Sequence, residues 1–321
     1  MKRIQLEDRT DLKSEIPLQT PYCLFVDPSS ACNFRCRFCM NQKIKRRETM
    51  SLGLFKKIID DLEEFPNPVK TVRLYGFGEP FLNSSFCEMV RYAKASKKVL
   101  RVDTTTNASL LNESFSAELV ASGIDRINVS IEAMSTSKYR DFTQNNLVSF
   151  EKIVEEISRL YKMKTNMTIF VKIDGDYLDE NEKQRFFDTF SSISDGCDLE
   201  HTMNCWRDFD EVEANQSVGI YGQPLKEVSV CPYVFYSFFV HADGYVSSCF
   251  LDWNKKLIIG DVKNESVKSL WQSELFNQFR QLMIMKKRKS HAICRNCQQL
   301  VAGMPVDLDD HADEISRRMK C

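Results

Sequence analysis

The chain has 321 residues and 44 basic against 45 acidic side chains, a net charge of −1 that gives no ground for a nucleic-acid or anionic-membrane partner. The longest apolar run, Val234 to Val240 interrupted by Ser237, is far short of the roughly 20 residues that span a bilayer, and Met1 to Glu15 lacks the apolar stretch of a signal peptide. A cytoplasmic protein is expected, and in a reducing compartment 12 cysteines argue for metal ligation over disulfides.

Residues 1–20 are polar, with Pro17 and Pro21 marking the entry to the first strand, and read as a wrapping segment. From Tyr22 an alternation begins. Tyr22 to Val26 is a short apolar strand, a cysteine-bearing loop follows, and Leu52 to Phe65 carries apolar residues at helical spacing. The unit recurs as Thr71 to Tyr75 with Ser85 to Lys97, Leu100 to Thr104 with Asn112 to Ala121, and Arg126 to Ile131 with Phe150 to Tyr161. Met167 to Ile173 with Glu180 to Ile193, then Asp198 to Met203, complete six strands. Strands and helices alternating at about 30-residue spacing predict an α/β fold with a parallel sheet and right-handed crossovers. Six strands make a partial (β/α)6 barrel over residues 21–205, with chemistry expected at the C-terminal strand ends.

After Cys205 the character changes. Phe235 to Phe250 reads as a hairpin turning at Asp243-Gly244, and a helix pair, Ser266 to Phe276 and Phe276 to Met285, leads to Cys294-Arg295-Asn296-Cys297. Residues 206–321 are expected to form a second, smaller domain. The basic run Lys286-Lys287-Arg288-Lys289 reads as a solvated helix end.

Cys32, Cys36 and Cys39 crowd one loop directly after the first strand. Cysteines at this frequency would produce that spacing by chance about 0.016 times in such a chain, so the triple needs a cause. Three thiolates can hold three corners of an iron-sulfur cube and leave the fourth iron open. Structural zinc is the alternative, but it wants four ligands; a disulfide leaves one thiol over. Gly76-Phe77-Gly78-Glu79-Pro80 closes the second strand, Asn107 the third, and Ser130 with Glu132 the fourth. Polar residues gathered at one end of consecutive parallel strands suggest a shared cavity.

The Cys-x3-Cys-x2-Cys loop with Phe38 before its last cysteine, the Gly78-Glu79-Pro80 turn and the later Ser130 together resemble the radical S-adenosylmethionine superfamily over about residues 20–205. The resemblance implies a 4Fe-4S cluster on Cys32, Cys36 and Cys39 whose open iron binds S-adenosylmethionine. It implies that Glu79 with Gly76 and Gly78 contacts the methionine ammonium and that Phe38 lies against the adenine. Asn107, Ser130 and Arg140 would complete the site, the last two at the carboxylate or ribose. The turn reads Gly-Phe-Gly-Glu-Pro where Gly-Gly-Glu-Pro is commoner.

Cys231, Cys249, Cys294 and Cys297, with the Asp243-Gly244 hairpin, resemble the SPASM and shortened "twitch" extensions, which implies one auxiliary 4Fe-4S cluster with four protein ligands. From ligand count alone zinc suits the same four thiolates. The implied enzyme is a radical oxidoreductase, oxygen-sensitive, supplied by an electron donor such as flavodoxin or ferredoxin. It would dehydrogenate a small molecule, a sugar or an aminocyclitol. A radical epimerase or a peptide-modifying enzyme is the alternative, and an iron-sulfur electron-transfer or zinc-binding protein is the non-enzymatic one. Cys205, after the last strand, is a candidate hydrogen-atom donor, and Glu132, Lys172, Asp208 and Asp210 are candidate general bases. The remaining cysteines, Cys23, Cys87, Cys197 and Cys321, read as small hydrophobes or surface thiols, and the four histidines as hydrogen-bonded structural residues.

Overall fold

The computed structural model describes residues 10–206, 208–209 and 217–319. The candidate base Asp210 and the C-terminal Cys321 lie outside the described residues. After a short helix α1 (Leu12–Glu15), the first unit is β1 (Cys23–Val26), the cysteine loop and α2 (Leu52–Asp60). There follow β2 (Thr71–Leu74) with α3 (Phe86–Ala95), and β3 (Val102–Thr106) with α4 (Glu113–Ser122). Next come β4 (Arg126–Ile131) with α5 (Thr136–Thr143) and α6 (Phe150–Met163), β5 (Thr168–Asp174) with α7 (Glu180–Phe190), and β6 (Gly196–Glu200).

Several helices begin where a side-chain oxygen satisfies an orphan N–H. Ser51 accepts from Leu54, Asn112 from Phe115 and Ser149 from Lys152, while Asp179 and Glu182 form a reciprocal capping box. Helix α6 buries Phe150, Ile153, Ile157 and Leu160, one apolar stripe at helical spacing. The strands alternate. Ile127, Val129 and Ile131 of β4 face the helices and are buried, whereas Arg126, Asn128 and Ser130 point to the inner face.

Two strands differ from expectation. The third runs two residues later, because Leu100 is 57% exposed while Thr105 and Thr106, β-branched, extend it. The sixth begins two residues earlier and ends at Glu200. Helix α5 was not anticipated; its mean composition is polar and only Tyr139 and Thr143 are buried.

The C-terminal part contains α8 (Tyr233–Tyr236), β7 (Ser237–Val240), β8 (Tyr245–Ser247) and β9 (Ile258–Asp261). Helices α9 (Val267–Trp271), α10 (Glu274–Ile284), α11 (Gln299–Ala302) and α12 (Ala312–Arg318) follow. The hairpin turns at Asp243-Gly244, with Gly244 at φ 94°. The helix pair breaks at Gln272-Ser273 instead of Phe276, since the Ser273 hydroxyl caps α10 by accepting from the Phe276 N–H. Among the described residues the nine strands form one sheet in the order β6-β5-β4-β3-β2-β1-β7-β8-β9. β7 pairs parallel with β1, so Asp27, just past β1, neighbours His241, just past β7; the Asp27 N–H donates to the Val240 carbonyl at 2.9 Å. The sheet therefore runs without a break from the six-strand α/β region into the hairpin. Leu12 and Ile16 are buried in the main core and Trp271 Nε1 donates to the Leu18 carbonyl, which ties the N-terminal segment to α9. Among the described residues no helix is long and apolar enough to cross a membrane.

Candidate active site

The cysteine loop is fixed from four directions. Asn41 Nδ2 donates to the carbonyls of Ser30 and Phe77 at 2.8 and 2.6 Å, and Gln42 Nε2 to that of Cys36 at 2.6 Å. The Arg35 and Arg37 N–H groups donate to Thr143 and Phe142, and Asn145 Nδ2 to the Asn33 carbonyl. Cys36 is buried and Cys32 and Cys39 are half-buried. Burial pushes the Cys32 thiol up to about 12, against the Phe34 N–H that donates to its sulfur at 3.4 Å; Cys39 and Glu79 push it the same way. Burial also raises Cys36, with Glu132, Cys39 and Cys32 adding to it. Three thiols on one short loop, whose burial disfavours each as a lone thiolate, fit a site whose thiolates would be neutralised by iron.

Glu79 is 2% exposed, and its two oxygens accept from the Phe81 N–H, the Thr106 hydroxyl and the Asn107 N–H at 3.1, 2.6 and 2.8 Å. Burial pushes its carboxyl up to about 7 against these donors. Asn107 Nδ2 reaches Asn33 Oδ1 at 3.0 Å, beside Cys32. The two glycines of the turn serve backbone packing. A Cβ on Gly76 would stand 2.6 Å from Asp27 Cγ, and one on Gly78 would stand 2.2 Å from the Ala31 carbonyl oxygen, where the turn docks on the start of the cysteine loop.

Phe38 lies 5.0 Å from Phe142, ring centre to ring centre, and Phe142 lies 5.4 Å from Tyr177. These three line one cavity with Leu178, Glu132 and Lys138. Burial pushes Glu132 up to about 8, against the pull of Lys172. Ser130 shares the inner face and is the register partner of Lys172. Lys172 Nζ pairs with Glu200 at 2.7 Å; burial alone would depress its pKa, and Glu200 raises it above the usual range. Arg140 stands elsewhere: it is exposed, on α5, with Nε donating to the Val148 carbonyl at 2.9 Å.

The inner face continues downward as a polar wall. Arg73 Nη1 donates to Tyr75 Oη at 2.9 Å and Nε lies 3.7 Å from Asp103, and Arg126 Nε donates to Asn128 at 2.8 Å. Sequence reasoning passed over Asp27, although it is 1% exposed on this face with neither carboxylate oxygen in hydrogen-bond geometry to a donor. Burial pushes it up to about 7, moderated by the nearby Phe77 and Ser29 N–H groups.

Cys231, Cys249, Cys294 and Cys297 line one apolar cavity, together with Tyr233 and Leu251 among others. The Leu251 N–H donates to Cys249 Sγ at 3.4 Å, and burial, then Cys297 and Cys294, push Cys231 up to about 12. Four soft thiolates with a backbone donor fit an iron-sulfur cluster. Among the described residues no three His, Cys, Asp or Glu converge on a single metal ion; a cube seats each thiolate on its own iron and needs no such convergence. The basic run departs from expectation: Arg288 is 2% exposed and lines this cavity, because its guanidinium is taken up by backbone carbonyls of the surrounding loops.

Cys205 lines a cavity with Asn296 and Gln298, which flank Cys297. Burial pushes its thiol up to about 12, and both Cys297 and Cys39 are near enough to add to the rise. It shares a polar cavity with Asn204, Trp206, Asp208, Lys256 and Arg295. Asp208 is exposed there and accepts from Lys256 Nζ at 2.6 Å and Asn254 Nδ2 at 2.8 Å.

Comparison with known proteins shows the family. The radical SAM superfamily pattern matches residues 26–183, and that of the SPASM iron-sulfur cluster-binding domain matches residues 231–298. The chain is 34% identical over 116 residues to a tungsten-containing aldehyde ferredoxin oxidoreductase cofactor-modifying protein of Pyrococcus furiosus, covering 36% of this chain and 32% of that one. It is 22% identical over 274 residues to the S-adenosyl-L-methionine-dependent 2-deoxy-scyllo-inosamine dehydrogenase of Niallia circulans, covering 85% and 90%. The solved structure of Streptococcus suis SuiB bound to precursor peptide SuiA shares the fold at 14% identity and a TM-score of 0.64, over 84% of this chain and 69% of that one. The matched part spans about a third to a half of the length of the GTP 3',8-cyclases and the Pyrococcus protein, from 32% to 49%.

Proposed function

The chain belongs to the radical SAM superfamily and carries a SPASM-type iron-sulfur cluster-binding domain, and from that premise we propose that it is an oxidoreductase that dehydrogenates a small polar molecule. The observation that carries this reading is the cavity that Cys205 lines together with Asn296 and Gln298, which flank Cys297 of the auxiliary set. A substrate held along the inner face beside it would lie between an initiating and an accepting centre.

Cys32, Cys36 and Cys39 would hold the first 4Fe-4S cluster, and Cys231, Cys249, Cys294 and Cys297 the auxiliary one. When bound, cluster and S-adenosylmethionine supply a 5'-deoxyadenosyl radical able to remove a hydrogen atom from an unactivated carbon. The aromatic group of Phe38, Phe142 and Tyr177 suits the adenine, with Glu79, Gly76, Gly78 and Asn107 shaping the turn beside it. Lys172, Glu200, Ser130 and Glu132 offer hydrogen bonds and charge to a hydroxylated or aminated substrate. For an alcohol the balance would be one hydrogen atom to the deoxyadenosyl carbon, one proton to a protein base and one electron to a cluster held by Cys231, Cys249, Cys294 and Cys297. Glu132 and Asp27 suit the proton, since both carboxyls are raised toward neutrality. Asp208, tied to Lys256, is the poorer acceptor.

Peptide modification is the second reading, favoured by the fold shared with a peptide-bound structure. Epimerisation, with Cys205 returning a hydrogen atom, is the third. Anaerobic reconstitution followed by turnover in deuterium oxide tests them. Uptake of about eight irons per chain and dithionite-dependent cleavage of S-adenosylmethionine support the radical assignment, and their failure removes it. Solvent deuterium at the substrate carbon would replace dehydrogenation by epimerisation.

A further inference from the structure

Arg288 sits in a run of four basic residues, three of which are exposed, yet its own side chain is 2% exposed. Its guanidinium is spread over two chain segments, the Cys294–Cys297 loop and the stretch that leads into Cys231. Nη1 donates to the carbonyl of Cys294 at 2.8 Å and to that of Arg295 at 3.3 Å. Nη2 donates to the carbonyl of Val228 at 3.4 Å and to Glu227 Oε1 at 2.8 Å, a few residues ahead of Cys231. The same side chain lines the cavity of Cys231, Cys249, Cys294 and Cys297. Glu227 offsets the charge only in part: it is half-exposed to water and shared with Lys289 Nζ at 3.1 Å. Among the described residues the Arg288 Nε has no hydrogen-bond partner.

A fixed cation at the wall of an apolar cavity is screened little and acts at close range on whatever charge the cavity holds. Reduction adds one negative charge to a cluster. A cation beside it stabilises the reduced form and raises the potential, just as net charge and hydrogen bonding set cluster potentials generally.

We propose that Arg288 is a positioning residue of the auxiliary site, which clamps the Cys294–Cys297 loop against the segment leading to Cys231 and holds the auxiliary cluster at a raised potential, as an electron acceptor needs. This rests on the reading that the four cysteines bind a cluster. A conserved charge in the Arg288→Lys variant keeps the electrostatic part and loses the fork of hydrogen bonds.

The test uses the full chain with Cys32, Cys36 and Cys39 all replaced by alanine, reconstituted anaerobically, so that only the auxiliary site can load. Its iron content, about four per chain, establishes the cluster independently of Arg288; no iron would refute the cluster reading and this inference with it. In that background the midpoint potential is read by electron paramagnetic resonance during redox titration. Arg288→Gln is expected to titrate at a lower potential than its parent, with Arg288→Lys nearer the parent. Equal potentials for parent and Arg288→Gln would overturn the proposal. If Arg288→Gln takes up no iron, Glu227→Gln decides, because it removes the counter-charge and leaves the clamp in place. A rise in potential there supports the proposal and no change overturns it.

Discussion

Glu79 and Asn107 are joined across neighbouring parallel strands, the carboxylate of one accepting the backbone N–H of the other at 2.8 Å. The bond matters because Asn107 passes the constraint on, through Nδ2, to Asn33 in the cysteine loop. One buried carboxylate therefore ties the turn after β2, the end of β3 and the loop after β1 into a single rim.

Glu79→Ala leaves the donors of Phe81, Thr106 and Asn107 without their acceptor in a buried place. A loss of about 2–4 kcal/mol of folding stability is expected. Iron uptake at Cys32, Cys36 and Cys39 should fall with it, whereas Glu79→Gln, which keeps one acceptor oxygen, should retain more of both. Urea unfolding and iron analysis of the two variants check this, and equal behaviour of Ala and Gln would contradict it.

The two glycines of the same turn should respond differently to repair. Gly76→Ala collides mainly with side chains, Asp27 Cγ and Phe239 Cζ, so pairing it with Asp27→Ala should recover part of the lost stability. Gly78→Ala collides with the carbonyl oxygens of Ala31 and Ser29, which are backbone, and no side-chain truncation can make room. Thermal unfolding of the single and double variants separates the cases; the Gly78 variant should stay destabilised with any neighbour.

Asp27 predicts a pH dependence of definite sign. Burial raises its folded pKa from 3.8 to about 7, so between those values the folded state binds more protons than the unfolded state and stability falls as pH rises. Asp27→Asn removes the ionisation. The variant is expected to be more stable to urea unfolding than the parent at pH 8, by an amount on the order of 1–3 kcal/mol, and to lose that advantage near pH 4. His241 contributes with the other sign. Burial lowers its pKa to about 3, so its penalty grows as pH falls below the unfolded value of 6.5.

The residues legible in the sequence are those whose signal is local. Cys32, Cys36 and Cys39 declare themselves by spacing, and strands such as Arg126–Ile131 by alternation, because both patterns are short-range. The hairpin at Asp243-Gly244 follows from its turn dipeptide, but the parallel pairing of β7 with β1 joins residues more than 200 apart and left no trace in either segment. For the same reason Arg288 looked like a solvated charge: its carbonyl partners come from loops that meet it only in the fold. Asp27 was hidden by its neighbours, an acid that ends a hydrophobic strand and reads as the start of a loop. Phe142 packs on Phe38 from α5, a helix whose polar sequence gave little periodicity, and Tyr177 packs on Phe142 from the turn after β5.

Phe142 supplies the most direct test of where the adenine binds. Its ring stands between Phe38 and Tyr177, at 5.0 and 5.4 Å, and closes the cavity nearest the cysteine loop. Its backbone carbonyl accepts the Arg37 N–H at 3.3 Å, a bond that survives truncation of the side chain. Phe142→Ala should therefore leave iron content unchanged while removing an aromatic contact worth about 1–2 kcal/mol, which raises the Kd for S-adenosylmethionine roughly five- to thirty-fold. Phe142→Tyr should bind almost as the parent does. Calorimetric titration of the reconstituted protein measures both. An unchanged Kd in the alanine variant would move the adenine out of this cavity and with it the assignment of Phe38.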